Sequence, residues 1–355
     1  MRSWRFLLGI LISGVFLVYA FRGQDYGAIV DSLKGVRYWL LIPALGLYFC
    51  GVVVRTYRWS ILLSPMKKIS IRNLLPITVI GFMANNVLPL RTGEVVRSYV
   101  LNKNYGVKKT AALTTIAVER IFDGITMVGF ILVAAITINL TNELQHVVKL
   151  ASVLFAIAVI GLAIATFARD LRETLLQFGL RFVPMAIRGK IESLAESFFS
   201  GLESLRSPKL MGAVALSSIL AWGFEASMYW VVAVAFGADV RAIMGFSETL
   251  LTTGIANLAT LVPSSPGYVG PFEAGVKTVL NGALGIDAAE SLSYAIVVHA
   301  CLWFPITVWG AIEWSRMHLS MKAVREETAP ATPETLGTAN TAISQPSTTI
   351  HTNAA

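Results

Sequence analysis

The sequence contains few charged residues. Asp, Glu, Lys and Arg make up 14% of its 355 residues, whereas 55% are hydrophobic and the mean hydropathy is +0.65. A soluble domain carries roughly 25% charged residues, so the composition excludes an ordinary soluble protein and predicts an integral membrane protein. Apolar runs of about 20 residues recur, which is the length of a membrane-spanning helix, whereas barrel strands would alternate over about 10.

Cysteine and histidine are also scarce. The two cysteines, Cys50 and Cys301, lie inside apolar runs, where small buried hydrophobic residues are expected rather than a disulfide framework. The four histidines are scattered, and the sequence has no spacing typical of a metal site, a Walker loop or a dinucleotide-binding loop. We therefore expect no cofactor and no metal.

The charge that is present is mostly positive, with a net value of +8. In a membrane protein this indicates cytoplasmic loops and anionic lipid rather than nucleic acid. Lys and Arg are frequent in 55–72, 91–109 and 169–209 and rare in 139–149 and 237–290. The positive-inside rule places the first three segments and both termini on the cytoplasmic side of the cell's inner (plasma) membrane.

Six segments are long and apolar enough to span a membrane. The first of them also resembles a signal peptide, but the spans that follow favour an uncleaved first helix. The polar segment 169–209 has the apolar spacing of a helix that lies on the cytoplasmic membrane surface. The six segments are 6–21, 39–63, 111–138, 147–168, 210–236 and 290–315.

Two further apolar segments, 73–90 and 247–285, are interrupted by Gly and Pro, so that each of their unbroken apolar runs is short. The first has basic flanks at both ends and the second has flanks poor in basic residues, so each should enter the membrane and return to the side it came from. The predicted fold is all-α, a bundle of about six full spans plus two re-entrant elements of opposite orientation. The alternative is that the run from Asn257 to Gly275 is a surface loop joining two ordinary helices.

The two interrupted segments resemble each other. The first reads GFMANNVLPLRTGEVVRSYV from Gly81, and the second reads GIANLATLVPSSPGYVGPFEAGV from Gly254. Paired Gly/Pro-interrupted segments indicate an inverted repeat and a transport site between its halves. Backbone that leaves the helix inside a bilayer must be buried in protein or line a water-filled cavity. We expect a polar cavity here, with the helices after Pro89 and Pro271 directing their anion-attracting N-termini into it.

Ionisable residues at membrane depth are costly and are therefore candidates for function. The run TTIAVERIFDGI places Glu119, Arg120 and Asp123 in one span, with the two carboxylates on one helical face. Arg120 would bind a lipid phosphate by a bidentate hydrogen bond, or would form a structural pair with a neighbouring element. Glu225 and His299 lie in the middle of spans, where hydrogen bonding to a neighbouring helix is the alternative to a functional role.

The motifs RTGEVVRSYVL, AVERIFDGI and PSSPGYVGPFEAG, in this order, make the sequence similar to the lysylphosphatidylglycerol synthase transmembrane (flippase-like) family. The likeness covers about residues 5–320 and implies a fold associated with moving lipids between leaflets. In the best-known relatives this region precedes a soluble aminoacyl transferase domain. Here a transmembrane domain, 1–322, is followed by a polar segment, 323–355, which we expect to be a disordered cytoplasmic tail.

Candidate substrate-binding residues come from the two interrupted segments and the charged span. The arginines would neutralise a headgroup phosphate, and the glutamates would orient the arginines or bind a cationic headgroup. These candidates are Arg91, Glu94, Arg97, Glu119, Arg120, Asp123, Asn257, Pro266, Gly267, Gly270 and Glu273.

These features favour a lipid translocase rather than an enzyme, acting on an anionic or phosphate-bearing membrane lipid. If transport is coupled to protons, Asp123, Glu225 or His299 would carry them. One alternative is an integral-membrane transferase acting on a lipid-linked substrate, with Glu94 or Glu273 as general base. Another is a non-catalytic partner of a separate synthase or glycosyltransferase that docks on the basic segment 169–209.

Overall fold

The computed structural model describes residues 4–88, 92–138, 142–203 and 207–320, and these ranges are almost entirely helical. The predicted tail, 323–355, lies outside them. The all-α prediction is therefore confirmed for the part of the chain that the structure describes.

Five described helices are long and apolar enough to cross a membrane. A sixth candidate is a pair of helices bent by 83° at a short break. The predicted spans agree with these elements to within a few residues. The long helices are α3 (Leu41–Leu63), α6 (Lys109–Thr137), α7 (Asn142–Phe167), α10 (Pro208–Ala235) and α14 (Ala288–Arg316), and the bent pair is α1 (Trp4–Phe21) with α2 (Tyr26–Lys34).

Local sequence signals set several helix ends. The side chain of Asp25 accepts backbone hydrogen bonds at the start of α2, and that of Asp287 does so at the start of α14. Both satisfy amides that have no partner within the helix. Pro208 occupies the first turn of α10, where its missing N–H costs nothing.

The two interrupted segments form helical hairpins. In the first hairpin the backbones nearly touch, because a Cβ added to Gly93 would lie 2.1 Å from the carbonyl oxygen of Gly81. In the second, a Cβ on Gly275 would lie 2.9 Å from the Cβ of Ala259. The first hairpin consists of α4 (Ile71–Val87) and α5 (Gly93–Tyr105), and the second of α12 (Phe246–Ala259), a turn at Pro266–Tyr268, and α13 (Pro271–Lys277), which continues as a wider helical turn over Thr278–Ala283.

The hairpins enter the bundle from opposite ends. Helices α3 and α10 run antiparallel, because the N–H of Arg37 donates to the carbonyl of Ala235 (2.9 Å) while Leu62 and Val214 share an apolar cluster. The first hairpin follows the C-terminal end of α3, and the second follows the C-terminal end of α10. We call these the first and second ends of the bundle. The opposite orientation expected of an inverted repeat is therefore present.

The segment 169–209 forms two helices rather than one. They are separated by a break that contains Pro184, and the second helix also contacts the long helices. Its Phe198 and Phe199 pack against a cluster that includes Phe122 of α6. The elements are α8 (Arg169–Leu180) and α9 (Met185–Glu203), and the remaining short helix is α11 (Ala238–Ile243).

Candidate functional site

A cavity of about 270 Å³ lies where the tips of the two hairpins meet. The Asn86 amide, at the end of α4, donates to the Thr307 hydroxyl of α14 at 2.9 Å. A Cβ on Gly267, at the tip of the second hairpin, would lie 3.4 Å from the carbonyl oxygen of Asn86. Polar side chains from seven helices line the cavity, among them Asn85, Glu94, Arg120, Asp123, Asn257 and His299.

Asp123 is held by donors from two other helices. Arg58 Nη1 donates to Asp123 Oδ1 at 2.6 Å, and Trp222 Nε1 donates to the same oxygen at 2.8 Å. Arg58 Nη1 also donates to the hydroxyl of Ser218 at 2.7 Å. The Arg58 side chain is only 2% exposed, so this group ties α3, α6 and α10 together as a buried, hydrogen-bonded ion pair.

Arg97 and Glu119 form a second buried pair behind the cavity wall. Arg97 Nη1 donates to Glu119 Oε2 at 3.0 Å, and its guanidinium lies 4.0 Å from the ring centre of Trp59. The other Glu119 oxygen is 3.7 Å from Arg58 Nε. These contacts pair the two charges inside the protein and join α5 to α3 and α6.

Arg120 is held more loosely than these other arginines. Its guanidinium nitrogens are 3.5 Å from Glu94 and 3.5 Å from Asp123. Charge-assisted hydrogen bonds are usually about 2.7–2.9 Å long, so both contacts leave room for a better acceptor. The side chain is 41% exposed, against 9% or less for Arg55, Arg58 and Arg97. Arg120 is thus placed to receive an anion in the cavity.

A further ion pair, Arg55 with Glu225, connects α3 to α10 on the cavity wall. The distance from Arg55 Nη2 to Glu225 Oε2 is 2.7 Å, and the guanidinium stacks on Trp222 at 4.5 Å. Asn257 of the second hairpin donates to the other Glu225 oxygen at 3.2 Å. Glu225 is therefore a structural link between the second hairpin and the long helices.

Glu273 acts at the start of α13 and also contacts α14. Its Oε2 accepts from the N–H of Gly270 at 2.7 Å, and its Oε1 is 2.5 Å from Nδ1 of His299. The other ring nitrogen of His299 is 2.8 Å from the carbonyl oxygen of Gly267. The expectation of an open, anion-attracting helix N-terminus after Pro271 was wrong, because the protein's own carboxylate occupies it.

An apolar cavity of about 520 Å³ adjoins the polar one. Helices α6, α7 and α9 form most of its wall, with Leu154, Phe155 and Phe198 among the lining side chains. Arg120, together with Gly124 and Leu258, lines both cavities. A single guanidinium therefore stands at the boundary between a polar and an apolar compartment.

Residues 6–310 match the profile of the family described as lysylphosphatidylglycerol synthase TM region. The chain belongs to this family. One similar protein is Glycosyltransferase AglD of Haloferax volcanii, which is 25% identical to this chain over 270 residues. The match covers 69% of this chain but only 43% of the length of that relative. A UPF0104 membrane protein of Methanothermobacter thermautotrophicus is 24% identical over 80% of this chain and 87% of its own length. No solved structure matches significantly.

Four of the residues that the sequence predicts to bind substrate line the polar cavity directly. They are Glu94, Arg120, Asp123 and Asn257. Arg97 and Glu119 lie behind them, and Arg91 and Pro89 lie outside the described residues. The role of each in substrate binding remains a prediction.

The predicted residues of the second hairpin are divided between two places. Gly267 and Glu273 meet at His299, and Pro266 begins the turn at the hairpin tip. Gly270 packs on α1 instead, since a Cβ there would lie 2.7 Å from the carbonyl oxygen of Ser13. Helix α1 is therefore packed into the bundle against the second hairpin.

Sequence reasoning missed the contribution of α3 to the site. Arg55 and Arg58 had been counted among the basic residues of a cytoplasmic loop, but both are buried in ion pairs. Their three-residue spacing on an apolar helix was the available signal. Among the described residues, no three His, Cys, Asp or Glu side chains are grouped so that they could hold a metal ion.

Proposed function

We propose that this protein moves a phosphate-bearing anionic lipid between membrane leaflets. The observation that carries the proposal is that Arg120 lines both the polar cavity and the adjoining apolar one. A lipid joins a charged headgroup to apolar chains, so an arginine at such a boundary matches the point where the two parts of a lipid meet. The headgroup would occupy the polar cavity and an acyl chain the groove between α6 and α7.

The geometry of Arg120 supports its role as the headgroup ligand. A phosphate oxygen would replace contacts of 3.5 Å with bidentate hydrogen bonds of normal length. Glu94 and Asp123 would keep the guanidinium oriented while the headgroup is absent. Charged groups at membrane depth that face a cavity often mark substrate pathways, and Arg120 faces one.

The two hairpins support transfer across the membrane rather than binding at one face. Each enters from a different end of the bundle, and their tips meet at the cavity, as in transporters built from inverted repeats. The basic residues Lys67 and Lys68, in the connection before the first hairpin, and Arg72, in the first turn of α4, are at the first end. We therefore propose that the first end faces the cytoplasm of the cell membrane.

A liposome assay tests the proposal. Purified protein is reconstituted with tail-labelled fluorescent phosphatidylglycerol or phosphatidylcholine, and dithionite bleaches the outer leaflet. We expect bleaching of the phosphatidylglycerol probe beyond the half seen in protein-free liposomes, and a return to about half with Arg120→Ala. Arg169→Ala, at an exposed arginine of α8, is the matched control. Protection of half the signal in wild-type liposomes, at equal and at opposed pH, would contradict the proposal.

A second candidate is a membrane transferase acting on a lipid-linked substrate. It is favoured by the similarity to a relative named as a glycosyltransferase, and Glu94 on the cavity wall would be its general base. Chromatography of lipid extracts after incubation with a polyprenyl phosphate and nucleotide sugars tests this directly. A new lipid product that disappears with Glu94→Gln would favour the transferase over the translocase.

A further inference from the structure

The contacts of His299 place hydrogen-bond acceptors at both nitrogens of its ring. Nε2 is 2.8 Å from the carbonyl oxygen of Gly267, and Nδ1 is 2.5 Å from a carboxylate oxygen of Glu273. A carbonyl oxygen can only accept, so Nε2 carries a hydrogen. The contact at Nδ1 then needs a second hydrogen, either on the ring or on the carboxyl group. The pair thus holds one proton more than a neutral imidazole beside a carboxylate.

We propose that Glu273 and His299 form a proton-binding site that fastens the second hairpin to α14. Both side chains are largely buried, with 7% and 12% exposure. They come from different elements, α13 and α14, and the third partner, Gly267, lies at the hairpin tip. One bound proton therefore controls two attachments of the hairpin to a long helix.

Loss of the proton leaves one ring hydrogen for two acceptors. If that hydrogen stays on Nε2, the lone pair of Nδ1 faces the Glu273 carboxylate and this contact opens. If it moves to Nδ1, the lone pair of Nε2 faces the carbonyl of Gly267 and the tip is released. Either way, one attachment of the second hairpin is lost as pH rises, and it is restored as pH falls.

The tip that would be released is strained and borders the cavity. Gly267 and Tyr268 both have positive φ, +77° and +61°, and the second value is uncommon for a residue with a side chain. A Cβ on Gly267 would lie 2.6 Å from Nε1 of Trp303, so the tip fits closely against α14. Tyr268 lines the polar cavity. Release of the Gly267 carbonyl would therefore alter the cavity wall.

Other charged groups around the cavity are already paired with opposite charges. Arg55 pairs with Glu225, and Arg120 lies between Glu94 and Asp123. The ammonium of Lys277, one turn after Glu273 on α13, donates instead to the carbonyl of Ala20 in α1. Among the described residues, the other titratable side chains on the cavity wall or against Phe272 are Tyr48, Tyr268 and Tyr229. Cys301 of α14 belongs to the same apolar cluster as Phe272.

The meaning for transport rests on the translocase function proposed above. An anionic headgroup at Arg120 adds negative charge to the cavity, and a proton on the Glu273–His299 pair offsets it. Headgroup and proton would thus favour each other's binding, and a proton gradient would drive the lipid. The proton site itself can be tested without any lipid movement.

NMR spectroscopy in lipid nanodiscs tests the site. Histidine labelled with ¹⁵N in the ring reports protonation, and His299→Gln identifies the His299 signals among the four histidines. Fluorinated tryptophan at Trp303, identified with Trp303→Phe, reports the hairpin tip. We expect the His299 and Trp303 signals to change with the same pH midpoint. A His299 titration that leaves the Trp303 signal unchanged would overturn the proposal.

Glu273→Gln is the decisive variant. The amide NH₂ of glutamine can donate to Nδ1 while Nε2–H donates to Gly267, so both attachments form without the extra proton. We expect Trp303 to keep its acid-form signal up to a pH at least one unit above the wild-type midpoint. Glu173→Gln, at an exposed glutamate of α8, should behave like wild type. If the Trp303 signal of Glu273→Gln has the same pH dependence as that of the wild type, a proton on the Glu273–His299 pair does not hold the hairpin tip against α14, and the proposal is overturned.

Discussion

Each hairpin has a glutamate in the helix that follows its turn. Glu94 of the first hairpin contacts Arg120, whereas Glu273 of the second hairpin contacts His299. Arginine keeps its charge at any physiological pH, but histidine gains and loses a proton near neutrality. The two halves of the repeat therefore bring a helical hairpin each to one cavity and give the two hairpins different chemistry. The first half presents a guanidinium to its glutamate, and the second half presents an imidazole.

The long helices, and not the hairpins, create this difference. Arg120 belongs to α6 and His299 to α14, and each meets a hairpin glutamate only because of how the helices pack. The repeat provides the two hairpins and their interrupted backbone, while the long helices α6 and α14 provide the side chains that contact each hairpin glutamate. The predictions below test this division, from the largest expected effect to the smallest.

Removing the buried arginine beside the first hairpin should have the largest effect on stability. Arg58→Ala removes the shortest ionic contact of Asp123 and one contact of Glu119, and it leaves Asp123 with only Trp222 and the looser Arg120. Breaking one side of a buried ion pair costs about 3–5 kcal/mol. Reversible unfolding in detergent or bicelles should show this loss. An unchanged unfolding free energy would mean that the pair is not buried as described.

The two hairpins should differ in their tolerance of a methyl group at the closest approach. The added Cβ of Gly93→Ala meets backbone oxygen at 2.1 Å, whereas that of Gly275→Ala meets the Ala259 methyl at 2.9 Å. Overpacking costs about 1–3 kcal/mol, so we expect Gly93→Ala to lie at or above this range and Gly275→Ala at its lower end. Gly212→Ala, with nothing within 4 Å, should not destabilise the same unfolding transition. Equal effects at both hairpins would contradict the comparison.

A change from arginine to lysine at position 120 should show whether the positive charge alone or the shape of the guanidinium is needed beside the first hairpin. Arg120→Lys keeps the positive charge but loses the bidentate fork. Losing one charge-assisted hydrogen bond of about 1.5–3 kcal/mol should slow translocation of the phosphatidylglycerol probe at least roughly tenfold. Arg169→Lys is the control. Wild-type rates in Arg120→Lys would show that charge alone is sufficient.

An exposed ion pair far from the cavity should matter least. Lys34 and Asp31 of α2 are 72% and 75% exposed. Such pairs contribute about 0–1 kcal/mol, so Asp31→Ala should change the unfolding free energy by no more than about 1 kcal/mol. A loss as large as that of Arg58→Ala would remove the distinction between buried and exposed pairs.

The spans were predictable because a membrane requires long apolar runs, and those runs are visible without knowledge of packing. The hairpins were predictable because Gly and Pro interrupt two of these runs. In addition, the two flanks of each run have a similar content of basic residues, which places both ends of the run on the same side of the membrane. The partners of the charges were not predictable. Arg58 meets Asp123 only because particular faces of α3 and α6 come together, and Arg58 lies near a helix end where a loop charge is equally plausible.

The pairing of Glu273 with His299 was missed for a similar reason. Each residue was a candidate by itself, but they lie on different helices and nothing in their spacing indicates contact. The packing of α13 on α14 and the turn that ends at Gly267 bring them together. Sequence reasoning thus named several of the residues that line the cavity, Glu94, Arg120 and Asp123 among them, but not the contacts that connect them.

Photocrosslinking tests most directly whether a lipid headgroup enters the cavity at Arg120. A photoreactive amino acid at Leu258, which lines both cavities, is compared with one at Leu216, an exposed position on α10. We predict that Leu258 captures phosphatidylglycerol in preference to phosphatidylcholine, that Arg120→Ala removes this preference, and that Leu216 captures both equally. Equal capture of the two lipids at Leu258, or a preference that survives Arg120→Ala, would contradict the account.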